Sequence, residues 1–273
     1  MLSNPKKSKS SKKPKKPKKI KPFVFNIPKN LTYIGVDEVG ISPGGSLILV
    51  AAETRRKTLT YSYEWGALNK AKDVLESIDH YLSEGKDPNH PSAPRFFTLD
   101  DFLKRGMTNF HWTEVPYNND EMNRQEVEHF GIANILTSNG YDPQKTVLMV
   151  DAFHTNLSVS KYVILRYLKS LNFNINQKHI FMCSGGDRSV PIVNFADLLA
   201  FQIKLHYENK YQEFLPSLND FPIEFAKVEY DKHKIDVNLD EDDRKTLKKI
   251  LFLKQGVKKY EKYCEDGDIK RYQ

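Results

Sequence analysis

The chain has 273 residues, 39% apolar and 12% aromatic, enough to bury a substantial core in one large or two small domains. Its net charge of +7 is unevenly placed: the first thirty residues hold eleven lysines and no acid, so the rest carries −4 once eleven is taken from seven. No apolar run approaches the roughly 18 residues of a membrane span, and no signal-type apolar segment opens the chain, so a soluble cytoplasmic protein without a membrane partner is expected, or a nuclear one where the source has a nucleus. Cys183 and Cys264 stand far apart with no C-x-x-C partner, which fits a reducing compartment and argues against a zinc cluster.

Residues 1–30 read as a disordered Lys-rich tail, because Lys, Ser and Pro cannot bury enough surface to offset the entropy of ordering. Lys12, Lys13, Lys15, Lys16, Lys18 and Lys19 form its densest part. The tail suits an electrostatic arm for a phosphate backbone, a nuclear-import-like address or a solubilising segment.

Next comes Tyr33-Ile34-Gly35-Val36-Asp37-Glu38-Val39-Gly40, an apolar strand expected to end at its two carboxylates before the turn Ile41 to Gly45. A second strand is expected over 46–53. The alternation from Thr58 to Trp65 predicts a third, antiparallel strand completing a meander. Helical spacing predicts helices over 69–83, 99–105 and 121–138, the last closed by Asn139-Gly140, with a strand-like piece from Thr108 to Val115.

Lys145 to Val150 is a further apolar strand, ending in Asp151. A helix over 158–170 and a strand over 178–183 follow. This alternation favours parallel neighbours with right-handed crossovers, and a strand parallel to the first would bring Asp37 and Asp151 to one sheet edge. The helix from Pro191 to about Glu208 is apolar at ten positions, yet Asp197 sits in its middle. A lone buried charge is prohibitive, so Asp197 needs an ion-pair partner such as Lys204 or Arg188, or a metal. Residues 209–238 have no clear pattern, and Asp240 to about Tyr263 reads as a helix with acids first and lysines last.

Carboxylates at strand ends and on a covering helix suit two Mg²⁺ or Mn²⁺ ions, whose oxygen-ligated pairs drive phosphodiester hydrolysis. No H-E-x-x-H and no Walker A loop is present, and nucleophilic serine or cysteine catalysis finds no support.

The opening Tyr33 to Gly40 resembles that of type 2 ribonucleases H, and the order of elements is similar to the ribonuclease H-like superfamily. A closer likeness is to the family called domain of unknown function 3800, with an Asp-Glu-x-Gly strand, a His-containing middle strand matched by Asn109-Phe110-His111-Trp112, and an Ala-Asp-Leu helix matched by Asn194 to Ala200. The resemblance spans residues 31–208. It implies an α/β fold with a ribonuclease H-like mixed sheet, three antiparallel strands followed by parallel ones, and flanking helices; beyond it, residues 209–273 are expected to form a C-terminal extension that ends in a helix and packs on the same domain. It implies Asp37, Glu38, Asp151 and Asp197 as metal-binding carboxylates. It also implies nuclease activity on nucleic acid.

Glu38 joins Asp37 only if the strand ends or twists there, since neighbours on a strand face opposite ways. His111 would orient a phosphate or move a proton; packing between Phe110 and Trp112 is its structural alternative. Glu114 is a substitute ligand. Ile41-Ser42 stands where type 2 ribonucleases H place arginine and glycine, and Asn194-Phe195 where the uncharacterised family has Gln, so no substrate is specified. The alternative reading is a non-catalytic module on the same fold that binds nucleic acid or a protein.

Overall fold

Thr32–Ile41 (β1) is the strand on which the rest of the sheet is hung, and the computed structural model describes it with residues 30–41, 46–60, 68–116, 124–151, 157–183, 185–218 and 226–227. On one side β1 pairs antiparallel with Ser46–Thr54 (β2), and on the other it pairs parallel with Thr146–Asp151 (β4). Asn109–Pro116 (β3) continues antiparallel from β2, Ile180–Cys183 (β5) lies parallel beyond β4, and Ala226–Lys227 (β6) adds a short parallel edge to β3. The strand order is β5-β4-β1-β2-β3-β6. This is an α/β mixed sheet with antiparallel and parallel parts and flanking helices.

Apolar residues on both sides of the central strands bury two layers. Ile34, Val36, Leu49, Leu148 and Val150 face Arg124–Ser138 (α3) and Leu157–Ser170 (α4). Tyr33, Ile48, Val50, Val147 and Met149 face Pro191–Tyr207 (α6). Strands covered on both faces read as continuous apolar runs, as β2 and β4 do.

Ala71–Ser83 (α1) and Leu99–Lys104 (α2) complete the α6 layer. Each starts where a side chain satisfies free backbone donors. The Lys70 N–H donates to Asp73 Oδ2 at 2.9 Å, and Thr98 and Asp101 cap each other's N–H groups. α6 is apolar nearly all round because the sheet covers one side. A smaller cluster, Ile78, Ala93, Phe96, Leu205 and Phe214, covers part of the other.

Gly35 sets how closely α6 approaches. A Cβ there would sit 2.5 Å from the Ile192 carbonyl carbon and oxygen, so only glycine lets the helix backbone rest on β1.

Two expectations are corrected. The third antiparallel strand is β3, not Thr58–Trp65: Lys57–Thr60 forms a 3₁₀ turn with Leu59 and Thr60 buried in succession, which alternation does not allow, and 61–67 lie outside the described residues. β1 does not stop at Asp37 but runs to Ile41, because the hairpin with β2 holds its register through Ile41↔Ser46 after β4 has turned away. The Lys-rich tail, residues 121–123 and the predicted helix from Asp240 lie outside the described residues.

Candidate metal centre

The last register pair between β1 and β4 is Val36↔Val150, so Asp37 and Asp151 are the next residues along two neighbouring parallel strands. Strand alternation turns both toward α6, the face shared with Tyr33 and Met149. Asp197 approaches from α6. Asp37 and Asp151 are 3% and 4% exposed, which removes the water that would otherwise screen three like charges.

The electrostatics follow from that burial. Asp37 is held well above the ordinary carboxylate range, first by burial and then by repulsion from Asp197, Glu38 and Asp151, with its own acceptance of the Glu38 N–H at 2.8 Å working the other way. Asp197 is pushed up to about 6, chiefly by burial, opposed by a backbone N–H and reinforced by Asp187.

Backbone donors aim two of these groups. Gly186, in the short helix Gly186–Ser189 (α5), donates its N–H to Asp151 Oδ1 at 2.8 Å. Ala71, the first residue of α1, donates to Asp197 Oδ2 at 2.8 Å. Neither cation expected to neutralise Asp197 does so: Arg188 pairs with Asp73 at 3.1 Å and Lys204 with Glu208 at 3.8 Å.

A fourth carboxylate that the sequence reading passed over is Asp187. It is 5% exposed; Lys70 Nζ is ion-paired to its Oδ2, while Oδ1 is buried without a hydrogen-bond partner. Asn194 Nδ2 donates to the Asp187 carbonyl and to the Asn69 carbonyl, both at 2.7 Å, tying α6, α5 and the start of α1 together around the acids. The contact with Asp187 holds Lys70 in its charged form, above the usual lysine range. The one sequence signal for Asp187 was its place in the Gly-Gly-Asp-Arg-Ser turn before α6.

Glu38 and His111 are not brought to this face. Because β1 continues, Glu38 pairs opposite Leu49 and alternation places it on the α3 side. His111 belongs to that side as well, with Tyr141 edge-on at a centroid distance of 5.6 Å. Asn109 accepts the Phe110 N–H through Oδ1, so its Nδ2 donates to His111 Nε2 at 3.0 Å. The ring proton is therefore on Nδ1, which is buried and unpartnered. Burial pushes the His111 pKa down to about 4. Glu114, the substitute ligand, accepts from the Tyr207 hydroxyl at 3.0 Å toward the other end of α6.

Asp37, Asp151, Asp197 and Asp187 offer only hard oxygen donors, and the repulsion among them is what a divalent cation relieves, so the donor set fits Mg²⁺ or Mn²⁺. Among the described residues no three Asp, Glu, His or Cys side chains already stand at ligand distance from one point. Mg²⁺ is commonly held by one or two carboxylates with waters and does not need a closed cage.

Gly40-Ile41-Ser42-Pro43-Gly44 spells the G-x-S-x-G pattern of serine hydrolases. It joins two antiparallel strands, whereas a nucleophile elbow needs a strand-to-helix turn, and Ser42 lies outside the described residues. No helix among the described residues is long and apolar enough to cross a membrane. A comparison of the chain with protein-family models and with curated proteins finds no match.

Proposed function

We propose that the chain is a ribonuclease H-like phosphodiester hydrolase acting on nucleic acid and dependent on two Mg²⁺ or Mn²⁺ ions. The observation that carries the reading is the meeting of Asp37, Asp151 and Asp197, from two neighbouring parallel strands and the covering helix, on one face of the sheet, with Asp37 pushed toward its protonated form first by burial and then by its acidic neighbours. A buried like-charge cluster is costly to keep unless a cation occupies it.

In this reading Asp37, Asp151 and Asp197 hold the ions, with Asp187 beside them. Bound there, such ions activate a water and stabilise a leaving oxygen. The chain's own contribution is positional. Gly186 fixes one oxygen of Asp151 and Ala71 one oxygen of Asp197, which sets how each carboxylate is presented. Lys70, about one-third exposed, stands at the rim, where a cation favours an approaching phosphate.

A panel of labelled single-stranded, duplex and hybrid RNA and DNA with Mn²⁺, run on the wild type beside Asp37→Asn, tests the reading. Cutting by the wild type alone supports it. No cutting by either protein, both folded, removes it.

A second reading, a non-catalytic module on the same fold that binds nucleic acid or a protein, draws on the separation of Glu38 from Asp37 and on the open arrangement of the acids. Calorimetric titration separates the two. Mn²⁺ sites lost in both Asp37→Asn and Asp151→Asn favour the hydrolase; absence of binding to the wild type favours the module.

A further inference from the structure

The sheet edge opposite the carboxylates carries the opposite charge. β2 ends where β1 begins, at Thr54↔Tyr33, about 13 Å of strand away from Asp37. Arg55, Arg56 and Lys57 follow Thr54 directly, and the end of α2 brings Lys104 and Arg105 beside them.

The two turns are stitched together. The Thr54 hydroxyl donates to the Gly106 carbonyl at 2.6 Å and accepts the Arg56 N–H at 3.1 Å, and the Thr108 N–H reaches the Glu53 carbonyl at 2.9 Å. Gly106 has φ +101°, and a Cβ there would lie 2.4 Å from Arg56 Cδ, so the arginine stem lies across the glycine. The Arg105 guanidinium sits 4.5 Å from the centre of the Phe97 ring.

Arg55 and Arg56 are exposed, and neither makes an ion pair among the described residues, while Lys104 shares Asp100 at 3.5 Å. An ordinary solvated basic face leaves its long side chains free. Here Arg56 and Arg105 are held by packing, so less freedom is lost when a ligand is bound. The chain also enters the described fold at this edge, since the Thr32 N–H bonds the Lys145 carbonyl at 2.8 Å, and the eleven lysines of residues 1–30 precede it in sequence.

We infer that Arg55, Arg56, Lys57, Lys104 and Arg105 form an anchoring surface for the phosphate backbone of nucleic acid, separate from the carboxylate edge. The inference rests on the reading of nucleic acid as the partner and adds to it where the strand is held. Guanidinium groups match phosphate oxygens in pairs, and each phosphate neutralised releases counterions, which makes such an anchor sensitive to salt and indifferent to base sequence.

The test is binding of labelled RNA and DNA oligonucleotides to the full chain in EDTA across a salt series, for the wild type, Arg55→Glu/Arg56→Glu and a control reversal at two exposed lysines elsewhere, Lys169→Glu/Lys178→Glu. The expected result is a roughly tenfold loss of affinity and a log–log salt slope shallower by about 1.5 to 2 for the arginine pair, and a smaller change for the control. Arg55→Gln/Arg56→Gln shifts binding the same way by less, and thermal melts unchanged from wild type show that the fold is intact.

An unchanged slope, an equal loss in the control, no oligonucleotide binding by the wild type, or binding to phosphatidylserine vesicles in place of oligonucleotides overturns the inference. Mn²⁺ cleavage by the same proteins is scored separately. A lost slope without cleavage keeps the anchor and removes the hydrolase; cleavage with an unchanged slope does the reverse.

Discussion

The Ala71 backbone N–H lies 2.8 Å from Asp197 Oδ2, across 126 residues of sequence, so one carboxylate both starts α1 and belongs to the acidic cluster. Its two roles separate under substitution. Asp197→Asn keeps an acceptor for Ala71 and removes the charge, whereas Asp197→Ala removes both. We expect the Ala variant to lose about 1–2 kcal/mol relative to Asn, the usual cost of losing a helix-start acceptor. Both variants should lose Mn²⁺ affinity. Urea unfolding with Mn²⁺ calorimetry checks the pair, and equal stability of the two variants would show that the Ala71 contact contributes nothing.

Asp37→Asn should make the metal-free protein more stable while weakening metal binding. The wild-type carboxylate is buried against Asp197 and Asp151, and a neutral amide of the same shape relieves that repulsion. A gain of about 1 kcal/mol corresponds to a melting temperature higher by roughly 2–4 °C in a chain of this size. Differential scanning fluorimetry in EDTA reads the gain; a lower melting temperature would mean that the acid is satisfied in the metal-free state.

His111 makes one contribution to acid stability, opposite in sign to that of the buried Asp37 and Asp197. Its pKa falls from 6.5 in the unfolded chain to about 4 in the fold, so the folded state prefers neutral imidazole. The stability this preference contributes is fully present above about 6.5 and is lost as pH falls through about 4. Integrated over that window it reaches up to about 3 kcal/mol. Measured from pH 7 down to pH 4, His111→Gln should lose less stability than the wild type. Parallel curves would sink the assignment.

Gly35→Ala places a methyl group against the Ile192 backbone, which has no side-chain freedom with which to yield. The helix must move, at a cost of about 1–3 kcal/mol or more by the usual measure of overpacking. Because α6 carries Asp197, Mn²⁺ affinity should fall together with the melting temperature. A destabilised variant with wild-type metal affinity would uncouple the position of the helix from the site.

Much of this arrangement is legible in the chain itself. The apolar runs before Asp37 and Asp151, and the helix built around Asp197, locate three acids that the sheet brings to one face. What escaped depends on distant partners. Whether β1 ends at Asp37 is decided by β2 across the hairpin, and that pairing sends Glu38 to the α3 side. Thr58 to Trp65 alternates as well as a strand, but β3 holds the place beside β2, and Leu59 and Thr60 turn inward one after the other. Asp187 carries only the weak local sign of its glycine-rich turn, because its meaning comes from Lys70 and Asn194, which reach it from other elements. His111 reads as a site residue from its strand, but only pairing and alternation show which face it takes.

The position of β1 in the sheet also sets an order of events during synthesis. Its parallel neighbour begins at Thr146, 114 residues after Thr32 on the register Thr32↔Thr146, and α6, which covers its other face, begins 45 residues after that, at Pro191. At ribosomal rates of about 5–20 residues per second, roughly 6–23 s separate the emergence of β1 from that of its partner β4. Until α3 begins at Arg124 the β1–β2 hairpin carries Ile34 and Val36 uncovered, and Ile48 and Val50 wait longer still, for α6. The nascent chain is therefore most exposed to self-association between the second strand and the fourth, and a faster or chaperone-assisted passage through that interval should raise the yield of folded protein.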